Sequence, residues 1–158
     1  MTRGIWIAGL FLLGACGGRG VATSAPDSAR KLVTITIESA NGARVFRVET
    51  ARTEEEQRRG LMYRTDIPKD GGMLFAPYPP EGGGPRQANF WMKDTPSPLD
   101  ILYIRADGTI ARIAENTIPY SEEPIPSGEP VAAVLEINGG RSAELGIDEG
   151  DAVRWTAN

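Results

Sequence analysis

The segment Phe-Trp-Met-Lys-Asp-Thr at residues 90–95 places two aromatic rings, a cation and a carboxylate together, which is more mixed chemistry than a core strand needs. Side chains alternate in direction along an extended chain, so Trp91 and Lys93 share one face. An aromatic ring beside a cation suits an anionic or amphipathic ligand. We therefore take Trp91, Lys93 and Asp94 as candidate binding residues.

Two further carboxylates stand in apolar runs. Asp100 lies in Leu-Asp-Ile-Leu-Tyr-Ile and Glu136 in Val-Leu-Glu-Ile, so each shares a strand face with apolar side chains. A buried carboxylate must be paired or hydrogen-bonded to stay charged. We expect Arg64, Lys93 or both to reach these carboxylates, together with backbone amides of the proline-rich loops. Such a cluster fits two roles, tying loops to the sheet or binding a ligand, and the sequence leaves both open.

Catalysis has few candidates. The chain has no histidine, which excludes serine-histidine and cysteine-histidine machinery, the usual zinc sites and imidazole acid-base chemistry. One alternative is a nucleophilic Ser97 activated by Lys93. Another is a glycosidase-like pair of Asp100 and Glu136, which requires neighbouring strands and carboxylates about 5 or 9 Å apart. We assign no catalytic residue, because nothing near Trp91 is an obvious nucleophile or tuned base.

Charge and composition restrict the partners. There are 17 Lys and Arg against 21 Asp and Glu, giving a net charge of −4. The sequence has no run of basic residues of the kind that binds a phosphate backbone. We therefore expect no nucleic-acid partner. No cofactor motif is present, and the acidic segment 148–151 lacks the ligand ladder of a 12-residue calcium loop, so a polar turn is favoured there over a metal site.

The elements that must position these residues are mostly short strands. Alternating segments on either side of Asn41-Gly42 predict a β-hairpin. A capping box from Thr53 to Glu56 predicts a short helix, and a second short helix is expected at 142–145. Proline-rich stretches at 77–87 and 119–130 are expected to be loops that border the site. The fold class is therefore mostly β (α+β), a small curved sheet or β-barrel with two short helices.

Residues 1–16 resemble a bacterial lipoprotein signal. Arg3 is followed by an apolar stretch at 5–13, too short to span a bilayer, and then by Leu-Gly-Ala-Cys. We expect a signal peptide at 1–15, a lipidated Cys16 with a flexible linker to residue 30, and one β-rich domain at 31–158. The predicted location is the periplasmic side of the cell envelope, with acyl chains holding the protein to the membrane.

The mature domain also resembles an uncharacterised prokaryotic family, domain of unknown function 192. The motifs that carry the resemblance are Gly60-Leu61-Met62 with Arg64, Gly72-Met73-Leu74-Phe75, Phe90-Trp91-Met92-Lys93-Asp94-Thr95, Pro98-Leu99-Asp100-Ile101, Leu135-Glu136 with Gly139-Gly140, and residues 146–151. The family usually has asparagine where Asp94 stands. The resemblance implies a compact β-rich fold, often exported, with no established activity.

These observations favour a membrane-anchored accessory domain that binds a ligand or an envelope protein. The alternative is an exported carboxylate-dependent hydrolase acting on an envelope polymer or glycan.

Overall fold

The computed structural model describes Met1 and residues 32–156, so the predicted signal peptide, Cys16 and linker lie outside the described residues. The described part contains nine strands and two short helices. In chain order they are β1 (Val33–Ser39), β2 (Gly42–Ala51), α1 (Glu54–Arg59), β3 (Gly72–Phe75), β4 (Arg86–Phe90), β5 (Leu99–Ile104), β6 (Ile110–Ala114), β7 (Ile125–Val131), β8 (Ala133–Asn138), α2 (Arg141–Leu145) and β9 (Ala152–Trp155). The predicted fold class, mostly β with two short helices, is confirmed. No helix within these described residues is long and apolar enough to cross a membrane.

Seven strands form one strongly curled sheet in the order β6-β5-β8-β3-β2-β1-β9. The two end strands approach each other, because a bridge joins Thr109 to Ala152 and the amide of Val153 donates to the carbonyl of Gly108 at 2.8 Å. The sheet therefore comes close to closing on itself. The remaining strands, β4 and β7, pair into a separate two-stranded ribbon.

Two apolar clusters lie on opposite faces of the sheet. All seven strands contribute to the first cluster, which therefore fills the inside of the curl; its members include Ile35, Phe46, Leu102, Leu135 and Val153. The second cluster lies between the outer face and the covering elements, and its members include Leu61, Phe75, Met92, Ile101 and Tyr103. Strands β3 and β5 are buried along their whole length as a result.

The local signals in the sequence are largely confirmed. The predicted hairpin is β1-β2, although its turn is Ala40-Asn41 and the positive φ of 100° falls on Gly42, the first residue of β2. Helix α1 has the predicted capping box, with the Thr53 hydroxyl accepting from the Glu56 amide. Leu61, just beyond the helix, is buried.

The prediction of a loop over residues 119–130 was partly wrong, because β7 occupies Ile125–Val131. Pro126 and Pro130 favour a loop, since proline cannot donate to a strand ladder. In β7 they lie opposite Asn89 and Gln87 of β4, in a ribbon that has no third strand. A two-stranded ribbon leaves half of its backbone groups outside the ladder, and so it accommodates both prolines.

Candidate functional site

The segment after β4 is irregular, and buried contacts fix it in place. Met92 is fully buried, its amide donates to the carbonyl of Ser121 at 2.8 Å, and its sulfur accepts from the Thr117 hydroxyl at 3.0 Å. Trp91 is instead 46% exposed. The Nζ of Lys93 lies 5.2 Å from the centroid of the Trp91 ring, within the range of a cation-π contact. These two side chains therefore share a surface.

Left-handed backbone conformations gather around this segment. In the described part of the chain, the non-glycine residues with positive φ are Tyr63, Asp94, Asn116 and Tyr120. The amide of Tyr63 donates to the carbonyl of Asp94, and the amide of Tyr120 to that of Thr95. A positive φ costs an aromatic residue energy that the surrounding contacts must offset, and such strain gathers at functional sites.

The left-handed conformation explains the residue type at position 94. Asp94 has φ 52°, a conformation that aspartate and asparagine tolerate better than other side chains. Its carboxylate accepts from the Tyr63 hydroxyl at 2.9 Å, and this hydrogen bond raises the pKa of Tyr63. An asparagine oxygen could accept the same bond. The carboxylate of Asp94 therefore holds the exposed Tyr63 ring beside the turn.

Asp100 is fully buried on the inner face of the sheet, and its partners are backbone amides. Oδ1 accepts from the amides of Asn116 and Gly140, and Oδ2 from the amide of Ser142, each at 2.7 Å. Helix α2 begins after Gly140, which has no side chain to cap it. Asp100 therefore supplies the missing cap from β5 and joins that strand to α2 and the 115–117 loop.

The prediction that Arg64 or Lys93 neutralises Asp100 and Glu136 was wrong. The guanidinium of Arg64 bonds both carboxylate oxygens of Glu49, at 3.0 and 3.3 Å, while Lys93 lies against Trp91. Arg64 therefore pairs with Glu49 on β2 and not with Asp100, the partner that we expected from the sequence. The Ser97 hydroxyl donates to the backbone carbonyl of Arg64 at 3.1 Å, so its hydrogen bond does not go to Lys93 as a lysine-activated nucleophile requires.

Glu136 occupies the outer face of β8 and is only 4% exposed. Its cross-strand neighbours are Met73 and Ile101, both apolar. Its Oε2 is buried and has no hydrogen-bond partner. Burial raises the pKa of the Glu136 carboxyl to about 8. At neutral pH this carboxyl is therefore mostly protonated.

Asp100 and Glu136 lie on neighbouring strands but on opposite faces of the sheet. Asp100 pairs with Ile137 of the inner cluster, and Glu136 pairs with Ile101 of the outer cluster. Residues directly opposite each other in an antiparallel pair share a face. The two carboxylates therefore cannot flank one glycosidic bond, which is what a paired-carboxylate hydrolase needs.

Glu136 lies at the bottom of a cleft of about 600 Å³ between α1, the loop before β4, and the outer face of the sheet. This volume is within the usual range for small-molecule sites. We call this space the α1 cleft. Its lining residues are Glu54, Gln57, Arg58, Arg59, Gly60, Leu61, Met62, Phe75, Tyr78, Pro80, Glu81, Arg86, Asn89, Phe90, Trp91, Thr95 and Glu136.

The aromatic wall of the α1 cleft is a packed set of rings. The rings of Phe75 and Phe90 meet edge to face, with centroids 5.1 Å apart. Tyr78 lies 6.0 Å from Phe90 on the other side. Such contacts hold the rings in place before any ligand arrives.

Gln57 was missed by sequence reasoning. Its amide nitrogen donates to the carbonyls of Ala51 and Pro77, which leaves Oε1 buried in the cleft wall with no partner. The sequence indicated only a charged, solvated helix at 54–59. The available signal for a role of Gln57 was its neutral side chain, which stands among charged residues between two strands that carry phenylalanines.

Of the six predicted binding residues, Trp91 and Glu136 line the α1 cleft. Arg64, Lys93, Asp94 and Asp100 do not, and of the two predicted bordering loops only residues 77–87 contribute lining residues. The acidic segment 148–151 forms a turn, in which Asp151 accepts from the amide of Asp148. No group of three metal-binding side chains is found among the described residues.

Comparisons with known proteins identify one family model and solved structures of similar fold. The family model DUF192, described as "Uncharacterized ACR", matches residues 35–155. A solved protein of unknown function from Novosphingobium aromaticivorans is 45% identical, with a TM-score of 0.76 over 83% of this chain and 90% of that one. A solved Sinorhizobium meliloti protein, described as a candidate transcription regulator, is 40% identical, with a TM-score of 0.73 over 80% of this chain and 95% of that one. No curated protein matches.

Proposed function

This chain belongs to the DUF192 family, and on that premise we propose that it is a ligand-binding domain whose site is the α1 cleft. The observation that carries the proposal is that Glu136, a residue that lines this cleft, has a buried Oε2 without a hydrogen-bond partner. A buried polar atom without a hydrogen bond costs about 1–3 kcal/mol. A ligand that supplies the missing partner recovers that energy.

The composition of the cleft supports binding. Small-molecule sites are concave, mostly apolar and contain a few convergent polar groups. The α1 cleft has a wall of Phe75, Tyr78 and Phe90 with the polar atoms of Gln57 and Glu136 beside it. Trp91 also lines the cleft and is partly exposed, so its ring can contact an occupant.

Hydrolysis has weaker support. The second carboxylate that it needs, Asp100, is on the other face and already accepts three amide hydrogen bonds. The description of the Sinorhizobium meliloti protein suggests a transcriptional role, but a net charge of −4 argues against extending it to this chain.

We further propose that the domain is exported and held at the envelope membrane through a lipidated Cys16. The support is the sequence alone: a basic start, a short apolar stretch and small residues directly before the cysteine. Radiolabelled palmitate should enter the wild-type protein in its host and fail to enter Cys16→Ser. Equal labelling of both proteins, or of neither, would show that the anchor assignment is wrong.

The binding proposal can be tested with a fragment library and two variants. Library hits should shift the amide resonances of residues 57–62 and 89–91 in NMR spectra of the domain. Trp91→Ala should weaken these hits, whereas Tyr120→Ala should not, because Tyr120 is also exposed but lies outside the cleft.

Binding that shifts other residues, or that falls equally in both variants, would contradict the site. Turnover of glycan, ester or peptide substrates by the wild type that disappears in a folded Glu136→Gln variant would replace the binding proposal with an enzymatic one.

A further inference from the structure

Two hydrogen-bond acceptors stand without partners in the α1 cleft. Gln57 keeps its amide nitrogen in bonds to Ala51 and Pro77, so the atom left for a ligand is a carbonyl oxygen. Oε2 of Glu136 is also buried without a partner, and it is an acceptor whenever the carboxyl is ionised. Both unpaired groups of the cleft therefore call for a hydrogen-bond donor on the ligand.

Among the described residues, no cation is bonded to Oε2 of Glu136. Among the elements packed against it, β3 has no titratable residue, and β5 contributes only Tyr103 to the same face. The other charged or titratable side chains that line the cleft come from α1, from the loop before β4 and from the first residue of β4. They are Glu54, Arg58, Arg59, Tyr78, Glu81 and Arg86. Arg86 pairs with Glu81, and Arg58 and Arg59 are exposed on α1. The buried carboxyl therefore lacks a counter-charge that an occupant could supply.

The aromatic wall favours a positive group over a negative one. The faces of phenylalanine, tyrosine and tryptophan rings carry partial negative charge and attract cations within about 6 Å. Four such rings, Phe75, Tyr78, Phe90 and Trp91, line the cleft that holds Glu136. A carboxylate together with several aromatic faces is a common arrangement for recognising ammonium groups.

We infer that the α1 cleft takes a protonated amine carried on an apolar body, with its ammonium group donating to Glu136. This inference rests on the proposed function, because it names the ligand class for the same site. The apolar body lies against the aromatic wall, and the ammonium group supplies the missing counter-charge.

Binding of such an amine must release a proton. The carboxyl of Glu136 is mostly protonated in the empty cleft at pH 7, since burial raises its pKa to about 8. It must ionise to pair with the ammonium group. Affinity should therefore rise by up to about tenfold per pH unit from pH 6 to 8 and level off above that range.

The test compares 2-phenylethylamine with its neutral analogue 2-phenylethanol on the folded domain, using NMR titration and calorimetry. The amine should bind at least tenfold more tightly at pH 8. Glu136→Gln should remove this preference and its pH dependence while changing alcohol affinity less than twofold. Glu122→Gln, a matched change at an exposed glutamate outside the cleft, should leave the preference intact. Calorimetry of the wild type in two buffers at pH 7 should show release of nearly one proton, which needs no variant.

The outcomes separate the ligand class from the site. Equal binding of amine and alcohol without proton release overturns the amine assignment while leaving the cleft as a ligand site. Library hits in the cleft combined with no response to the amine overturn it as well. A cleft that no library compound perturbs overturns the proposed function together with this inference.

Discussion

Asp100 and Glu136 are the two buried carboxyl groups of adjacent strands, and they differ completely in how their charge is accommodated. Asp100 faces the inside of the curl, where three backbone amides donate to it. Glu136 faces outward to the α1 cleft, and its Oε2 has no partner. Equal burial therefore does not indicate an equal role. The satisfied carboxylate joins elements of the fold, and the unsatisfied one marks a place for something else to bind.

The largest effect on stability is expected from removing the carboxylate of Asp100. Asp100→Ala leaves three amide donors unsatisfied, and a hydrogen bond to a charged group contributes about 1.5–3 kcal/mol. The free energy of unfolding should fall by about 5 kcal/mol, a large part of the total for a domain of this size. Urea unfolding monitored by circular dichroism measures the loss. A decrease below 1 kcal/mol would mean that water replaces Asp100 without cost, and the contrast with Glu136 would disappear.

Glu136 should instead make stability depend on pH. An unfolded glutamate ionises near 4.5, whereas in the folded domain burial raises the pKa to about 8. The folded state then binds more protons between these values, so its stability falls as pH rises from about 5 to 8 and levels off above 8. The total decrease is on the order of 4–5 kcal/mol at 1.36 kcal/mol per pH unit.

Glu136→Gln supplies the control for that pH dependence. The variant cannot ionise at this position, so its stability should be almost flat over the same range and should exceed that of the wild type at pH 9. If wild type and variant share one pH profile in urea unfolding, Glu136 is ionised or solvated in the native state, and its distinction from Asp100 fails.

A smaller effect on stability is expected at Arg64, and it tests which carboxylate this side chain pairs with. Its two-point contact with Glu49 is partly buried, so Arg64→Ala should cost about 1 kcal/mol. In a double-mutant cycle, Arg64→Ala should couple to Glu49→Gln and not to Glu136→Gln. Coupling to Glu136 above about 0.5 kcal/mol would restore the cation pairing expected from sequence and weaken the amine inference.

The smallest effect is expected at Lys93. Its contact with Trp91 is at the surface, where a cation-π pair contributes about 0.5–1 kcal/mol. Lys93→Ala should therefore change the melting temperature by only a few degrees. Because Lys93 does not line the cleft, amine affinity should stay within about twofold of the wild type. A larger change in amine affinity would indicate that the amine binds at the surface shared by Trp91 and Lys93 and not inside the α1 cleft.

Local patterns in the sequence predict most of the elements, since a capping box and alternating strands depend on residues close in the chain. They also identify Asp100 and Glu136 as buried acids. They do not predict partners, because the amides of Asn116, Gly140 and Ser142 reach Asp100 only through the topology. The cleft was missed for the same reason, as Gln57, Phe75 and Phe90 meet only after folding.

The pairing of β1 with β9 has a consequence for when the domain can fold. The first described strand lies beside the last, with Ile35 opposite Trp155, so the curl cannot close until the residues of β9 have left the ribosome. Pairings between distant segments form slowly because a large chain loop must be ordered first. For the export that we propose, this slow pairing would keep the polypeptide unfolded long enough to cross a membrane.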